Sequence, residues 1–387
     1  VDTLKVRDAK DVEEVVRAAV AGEQPLEVIG HGSKRAIGHP MATNALLDVS
    51  ALNAVSSYEP NELIISVQAG APLADVQSLI DAKNQQFAFE PMDTSVLLGT
   101  AGAGTIGGMI GAGLAGPRRI KAGGIRDHLL GAHAVSGFGD SFKTGGRVVK
   151  NVTGYDLCKL LAGSWGTLAV MTEVTLKVMP KPEAERTLVL RGLDDATANK
   201  AMTAALGSPF DVSGAAHLPG SALRSGGGAL AGLAAGQPVT LVRLEGISAS
   251  AAHRAASLSQ TLSAYGTVDS LADDASAAIW SALRDVAPFA ANGALGAWPV
   301  WRIVCPPASG GALGQALSRA TGGDVIYDWG GGRDLGRGAA GRRRPGHAGP
   351  RPGRGDRRTR HPDPRHRGCT PGGRCVPAAG GRACRAR

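Results

Sequence analysis

Residues 333–387 contain no isoleucine, phenylalanine, tyrosine, tryptophan, methionine, lysine, glutamate, asparagine, glutamine or serine. A segment without those side chains cannot bury a core, and disorder is the expectation for it. It carries 16 arginines against Asp334, Asp356 and Asp363, so the formal charge of +9 on this 387-residue chain belongs to the tail. The body, residues 1–332, keeps 26 basic and 30 acidic residues, a net of −4, and offers no specific nucleic-acid surface by charge. Arginine, proline, glycine, alanine, histidine and cysteine together are what GC-rich DNA yields when read out of frame. The change at Gly332 is abrupt and points to a frameshift. The rival reading of the tail is an arginine-rich arm that binds polyanions through their phosphates.

Cysteine is equally sparse. Cys158 and Cys305 lie in the body, and Cys369, Cys375 and Cys384 in the tail have spacings that match no common zinc module. Neither a disulfide framework nor a metal site is expected. No secretory leader is read at the N-terminus, which begins at Val1. The loop Gly30-His31-Gly32-Ser33 is not a G-x-G-x-x-G turn followed directly by a helix.

Charge is missing altogether from Val96 to Gly116, "VLLGTAGAGTIGGMIGAGLAG". The length would suit a membrane span, which needs roughly 20 apolar residues. The composition excludes one: the segment holds eight glycines, and each weakens a helix by about 1 kcal/mol relative to alanine. Glycine at this density signals backbone in unusual conformations or backbone approached closely by a ligand. No transmembrane segment is expected.

What is present reads as alternating strands and helices. Strand, helix, strand and loop follow one another in "TLKVRDAKDVEEVVRAAVAGEQPLEVIGHGSKRAIG". Val12, Val15, Val16, Ala19 and Val20 share a helical face, Asp8 caps the start, and Leu26–Ile29 forms a short buried strand. Strands near Asp48 and before Gly70 precede a helix opened by Pro72, with Leu73, Val76, Leu79 and Ile80 inward. Pro180 and Pro182 close this first half. The second half restarts with the strands "TLVLRGL", "PVTLVRLEG", "PVWRIVCPP" and "DVIYDWG" between alanine-rich helices, an α+β pattern. Trp280, Trp298 and Trp301 are assigned to its core. The boundaries expected are 1–182, 183–332 and 333–387. The tail has neither alternation nor β-formers, so the strand ending at "DWGGG" should lack its next neighbour and leave a sheet edge open.

Chemistry concentrates in loops. Gly30, His31, Gly32 and Ser33 follow a strand, and their N–H groups with the Ser33 hydroxyl suit a diphosphate nest; a plain surface turn is the bland alternative. Arg118, Arg119 and Lys121 either neutralise phosphate or form a solvated turn. Arg243, beside Glu245, and Arg302 sit on second-half strands, where an arginine can clamp a substrate carboxylate or complete an internal ion pair.

Taken together, "GHGSKRAIG", "FEPMD", "GTIGG", "RDHLLG" and "TGGRVVKNVTGYDLCKLLAGSWGTLAVMTEVTLKVMP" resemble, in order and spacing, the vanillyl-alcohol-oxidase or p-cresol-methylhydroxylase type of FAD-binding domain. Within that family the FAD-binding subunits of glycolate oxidases are most similar. The resemblance implies an α+β fold: a two-subdomain FAD-binding domain followed by an α+β cap domain, here incomplete, and then the disordered tail. It implies that FAD is held by Gly30, His31, Gly32, Ser33, Lys34 and Arg35 in the first loop and by Thr105, Ile106, Gly107, Gly108 and Gly111 in the second. Pro91 and Met92 would stand near the flavin ring, and Val170 to Glu173 along the ADP portion. Covalent members carry a histidine where this chain has Gly32, with His31 one place off, so dissociable FAD is implied. Trp165 stands where an acidic residue is common, a departure from the pattern.

The function implied is oxidation of a 2-hydroxy acid, glycolate to glyoxylate. The partners implied are a catalytic flavoprotein subunit and an iron–sulfur subunit, with a cytoplasmic location that is peripheral to the membrane through those partners. The body has no "HxGDGNxH" motif like that of the catalytic subunit. A non-catalytic FAD-carrying or electron-relay subunit, or a stand-alone FAD-linked dehydrogenase of another substrate, therefore stays open.

Overall fold

A computed structural model describes residues 2–147, 155–225, 227–233, 236–293 and 298–337. The expected tail from 338 onward, and residues 148–154 of the long motif, lie outside the described residues.

The first half contains two main sheets. Asp2–Lys5, Ala45–Asp48 and Leu26–Ile29 form a parallel three-stranded sheet in that order. The helix Ala9–Ala21 packs on it, and Asp8 caps that helix by accepting from the N–H groups of Lys10 and Asp11 at 2.9 and 3.0 Å. The second sheet is antiparallel, in the order Val55–Glu59, Ile64–Gln68, Ala169–Lys177, Leu129–Ser136, Ser141–Gly145. Val12, Val16, Leu47 and Leu52 meet Val135 and Val170 in one apolar cluster that joins the two sheets.

Two residues expected inside are exposed. Val20 lies at the end of a 13-residue helix, which at 1.5 Å per residue is about 20 Å long. The four-residue strands beneath reach only about 13 Å, so the last turn overhangs. Leu79 lies at the margin of the stripe formed by Leu73, Val76 and Ile80, which are buried.

The second half is one antiparallel seven-stranded sheet in the order Val268–Ala272, Ala184–Arg191, Val239–Gly246, Val212–Leu218, Asp324–Asp328, Arg333–Arg337, Val300–Val304. For residues 333–337 the expectation of disorder, and of an edge left open after Gly332, is overturned here. Arg333–Arg337 is an interior strand, paired on both sides. Poor β-formers are tolerated because the ladders satisfy the backbone and both arginine side chains find partners, that of Arg337 donating to the Trp298 carbonyl at 3.1 Å. Arg333, 2 % exposed, ion-pairs with Asp328 and donates to the Ala115 carbonyl at 2.8 Å. Leu335 belongs to the same apolar cluster as Ile326, Val189 and Trp280.

Of the three tryptophans assigned to the core, only Trp280 is buried. Trp298 and Trp301 are exposed because Val300–Val304 is the edge strand, with no neighbour on its outer side. Met92, Leu97 and Leu114 from the first half enter the apolar cluster of this sheet, so the two halves share a core.

Replacing Leu335 by Ala should remove about 2–5 kcal/mol of stability in urea unfolding, the usual cost of deleting a buried leucine side chain. A loss below about 0.5 kcal/mol, the range of an ordinary surface change, would show that this strand contributes no packing.

Candidate cofactor site

The chain leaves the strand Leu26–Ile29 directly into the first loop. There the N–H groups of His31, Gly32, Ser33 and Lys34 donate to no acceptor among the described residues. Four successive free donors form an anion-binding nest. They line a cavity of about 590 Å³, with Arg35, Thr105, Gly108, Trp165 and Gly166 on its other walls. A narrower cavity of about 110 Å³ shares Gly30, Thr105, Gly108, Trp165 and Gly166 and extends past Gly111, Val170 and Met171. The larger volume is that of a small-molecule or cofactor site, about 300–1,000 Å³.

The glycine segment forms the opposing wall as a short helix, Ile106–Ala112, with Thr105 accepting from the Gly108 N–H at 3.2 Å. A Cβ on Gly108 would meet only the Thr105 hydroxyl at 3.3 Å, and one on Gly111 only backbone of Trp165 and Gly166 at 3.8 and 3.9 Å. Both positions look into the cavity. Gly107 differs: its Cβ would stand 2.9 Å from Ala69 Cβ and from the Ala69 carbonyl, so it is a packing glycine. Ile106 is fully buried in the core. The donors and the cleared wall together fit FAD, since a nest of free amides suits a diphosphate.

Charge at the nest is spare. Lys34 donates to the Ala103 carbonyl at 3.0 Å and the Ser33 hydroxyl at 3.2 Å, and burial lowers its pKa against the opposing pull of Asp93. Arg35 is engaged by Glu27 through two bonds of 2.7 Å. His31 is exposed at the rim.

The remaining sequence candidates scatter. Val170 lines the narrow cavity, whereas Glu173 lines neither cavity and accepts from the Ser56 hydroxyl. Met92 is buried in the core shared with the large sheet. Pro91 bridges to Ala115 and borders a separate polar cleft of about 600 Å³.

That cleft exposes a network which residue-by-residue reading missed. Glu90, in a left-handed conformation (φ 52°), binds Arg243 through bonds of 2.8 and 3.0 Å and accepts from the Arg118 N–H at 2.6 Å. Arg118 in turn chelates Glu245 at 3.0 and 2.6 Å. Burial alone would raise the Glu90 and Glu245 carboxyls, but Arg243 and Arg118 overcome it, holding Glu90 below its ordinary value and Glu245 at about 2. Glu185, farther from Arg243 at 3.9 Å, is pushed by burial up to about 7. Arg243 is thus consumed by an internal ion pair, the second of the alternatives for it. Freeing it for a substrate would strand a buried carboxylate, at about 3–5 kcal/mol. Arg118, Arg119 and Lys121 line neither cavity; Arg119 stacks on Trp329 and Lys121 pairs with Asp211. Arg302 lies on the edge strand without a bonded partner among the described residues.

Gly108→Val should abolish flavin retention with the far-UV spectrum kept, whereas Gly107→Val should lower the melting temperature because its side chain drives into Ala69. Equal loss of flavin and fold at Gly108 would assign that glycine to packing as well. Acid precipitation of the yellow protein should leave the chromophore in the supernatant, and flavin retained in the pellet would contradict dissociable binding.

Comparison with known proteins points to the same cofactor. The family described as "FAD binding domain" matches residues 3–145. Glycolate oxidase subunit GlcE of Escherichia coli is 38% identical over 175 residues, covering 45% of this chain and 48% of that protein. Glycolate oxidase subunit GlcD of Bacillus subtilis is 29% identical over 184 residues, covering 47% of this chain and 38% of that protein. The matched region therefore spans about half the length of these relatives or less. Among solved structures, p-cresol methylhydroxylase with substrate bound superposes with a TM-score of 0.66 at 14% identity, covering 87% of this chain and 74% of that one. Alkyldihydroxyacetonephosphate synthase gives 0.64 at 15% identity, covering 87% and 70%. Residues 3–145 are an FAD-binding domain, carried on the fold of p-cresol methylhydroxylase.

Proposed function

We propose that this chain is the FAD-binding subunit of a glycolate-oxidase-like complex, in which a small 2-hydroxy acid, glycolate, is oxidised to glyoxylate. The observation that carries this reading is the run of four unpartnered N–H groups, His31 to Lys34, facing a glycine wall across a cofactor-sized cavity. Similarity to chains named glycolate oxidase subunits supports the substrate class.

When bound, FAD supplies the two-electron acceptor for a hydride from the α-carbon. The chain's own contribution is positional. Amides 31–34 and the Ser33 hydroxyl take the diphosphate, and Lys34 offsets part of its charge. Gly108 and Gly111 keep the narrow cavity free of side chains, while Val170 and Met171 exclude water from its inner wall. The subunits proposed as partners are a second, catalytic flavoprotein and an iron–sulfur protein. Among the described residues no helix is long and apolar enough to cross a membrane; the proposed setting is cytoplasmic, with any membrane association through those partners.

A second reading, an FAD-carrying electron-relay subunit without turnover of its own, is favoured by one observation: Arg243, one of the two arginines expected for substrate, is locked by Glu90. Anaerobic addition of glycolate to the purified flavin-loaded chain separates the two. Bleaching of the visible flavin band is the expected result for an oxidising subunit. Retained but unbleached flavin would select the relay, and a chain that never takes up FAD would overturn both.

A further inference from the structure

The register of the large sheet places Arg302 opposite Leu335, Val304 opposite Arg333, and Arg333 opposite Asp328. Residues directly opposite share a face, so Arg302, Arg333 and Asp328 project to one side. Leu335 and Ile326 on that side join the core shared with Met92, Leu97 and Leu114. This is the side turned toward the FAD-binding half. There the turn Trp329–Gly331 docks on the glycine segment: Trp329 Nε1 donates to the Gly116 carbonyl at 3.0 Å, and Arg333 donates to Ala115.

Guanidinium groups gather at this seam. Arg119, from the FAD-binding half, lies 4.3 Å from the Trp329 ring centroid, and Arg333 lies 4.5 Å from the same centroid. Arg302 joins them from the edge strand. Arg302 and Arg119 are both exposed residues; partial burial lowers the pKa of Arg302, and the like charges of Arg333 and Arg119 push it the same way. Of these three guanidiniums, the one with a carboxylate partner among the described residues is that of Arg333, paired with Asp328. The guanidinium groups of Arg119 and Arg302 make no hydrogen bond or ion pair with the described residues. Like charges drawn together repel, less where water reaches them, and an anion that joins them removes that repulsion.

We propose that Arg302 and Arg119 bind the carboxylate of a small organic acid at this seam, with Trp329 as the flat wall beside it. Two guanidinium forks from opposite halves of the molecule match a planar carboxylate. The site lies on the same glycine segment that lines the narrow cavity at Gly111, four residues before Ala115. The proposal deepens, and rests on, the reading of this chain as a hydroxy-acid flavoprotein, since it names which residues take the acid group.

Calorimetric titration of the full, flavin-loaded chain with oxalate tests it, because oxalate is a carboxylate with no C–H bond to oxidise. Arg302→Ala and Arg119→Ala should each raise the dissociation constant at least tenfold with flavin content and circular dichroism unchanged. Arg302→Lys should recover part of the affinity, and Lys121→Ala, which removes a nearby surface charge, should change nothing. Glycolamide, the neutral amide of glycolate, should bind far more weakly than glycolate. Wild-type affinity in both alanine variants, equal binding of glycolamide and glycolate, or no oxalate binding by the wild type would each overturn the proposal. If glycolate fails to bleach the flavin yet oxalate binding still depends on both arginines, the site stands and the oxidase reading falls. Bleaching by glycolate with an unchanged KM in both variants would have the opposite meaning.

Discussion

Close contact between two pieces of backbone governs this structure. Gly30 comes against Thr105, Gly104 (φ 90°) against Ser33, and Gly107 against Ala69. A Cβ at Gly30 or Gly104 would push the first loop away from the second, and one at Gly107 would push the second away from Ala69. Because they touch, the loop's amides are turned outward along one wall of the cavity rather than into a turn of their own. The apolar, uncharged character of residues 96–116 follows from this role. They pack among backbone and face a ligand, and neither task has room for a charged side chain.

The second organising contact is the Glu90 clasp. A carboxylate from the FAD-binding half is gripped by Arg118 from its own half and Arg243 from the large sheet, all three largely buried. Burial makes such a cluster costly to form and costlier to break, so it holds the halves in one register and adds little net stability. The clasp and the Trp329 turn are separate ties between the same two halves. One is saturated in charge, the other is left positive.

Much of the architecture was legible. The Asp8 cap, the Pro72 helix start, and the strands at 184–191, 239–246 and 324–328 all follow from period, caps and β-branched runs. Val212–Leu218 was not, because all seven of its residues are buried and small ones hide the alternation. Arg333–Arg337 was misread for a related reason. Its composition says coil, but an interior strand can be held by ladders on both sides and by partners for its charges, neither of which is local in sequence. At the site, the nest and the glycine wall could be read as a pair. The division of labour among Gly107, Gly108 and Gly111 could not, since it depends on Ala69 and Trp165, which are distant in the chain.

The position of Arg333–Arg337 also bears on how the molecule is made. It is the most C-terminal member of the large sheet, yet it lies between Asp324–Asp328 and Val300–Val304. On a ribosome, the sheets of the first half have all their strands once residue 177 has emerged. The large sheet must wait more than a hundred residues longer for an inner strand, with Val300–Val304 unpaired at its edge and carrying Trp301 in the meantime. Non-local closure of this kind is slow and leaves a transient sticky edge. The half that carries the FAD-binding domain thus has its main strands well before the large sheet is complete.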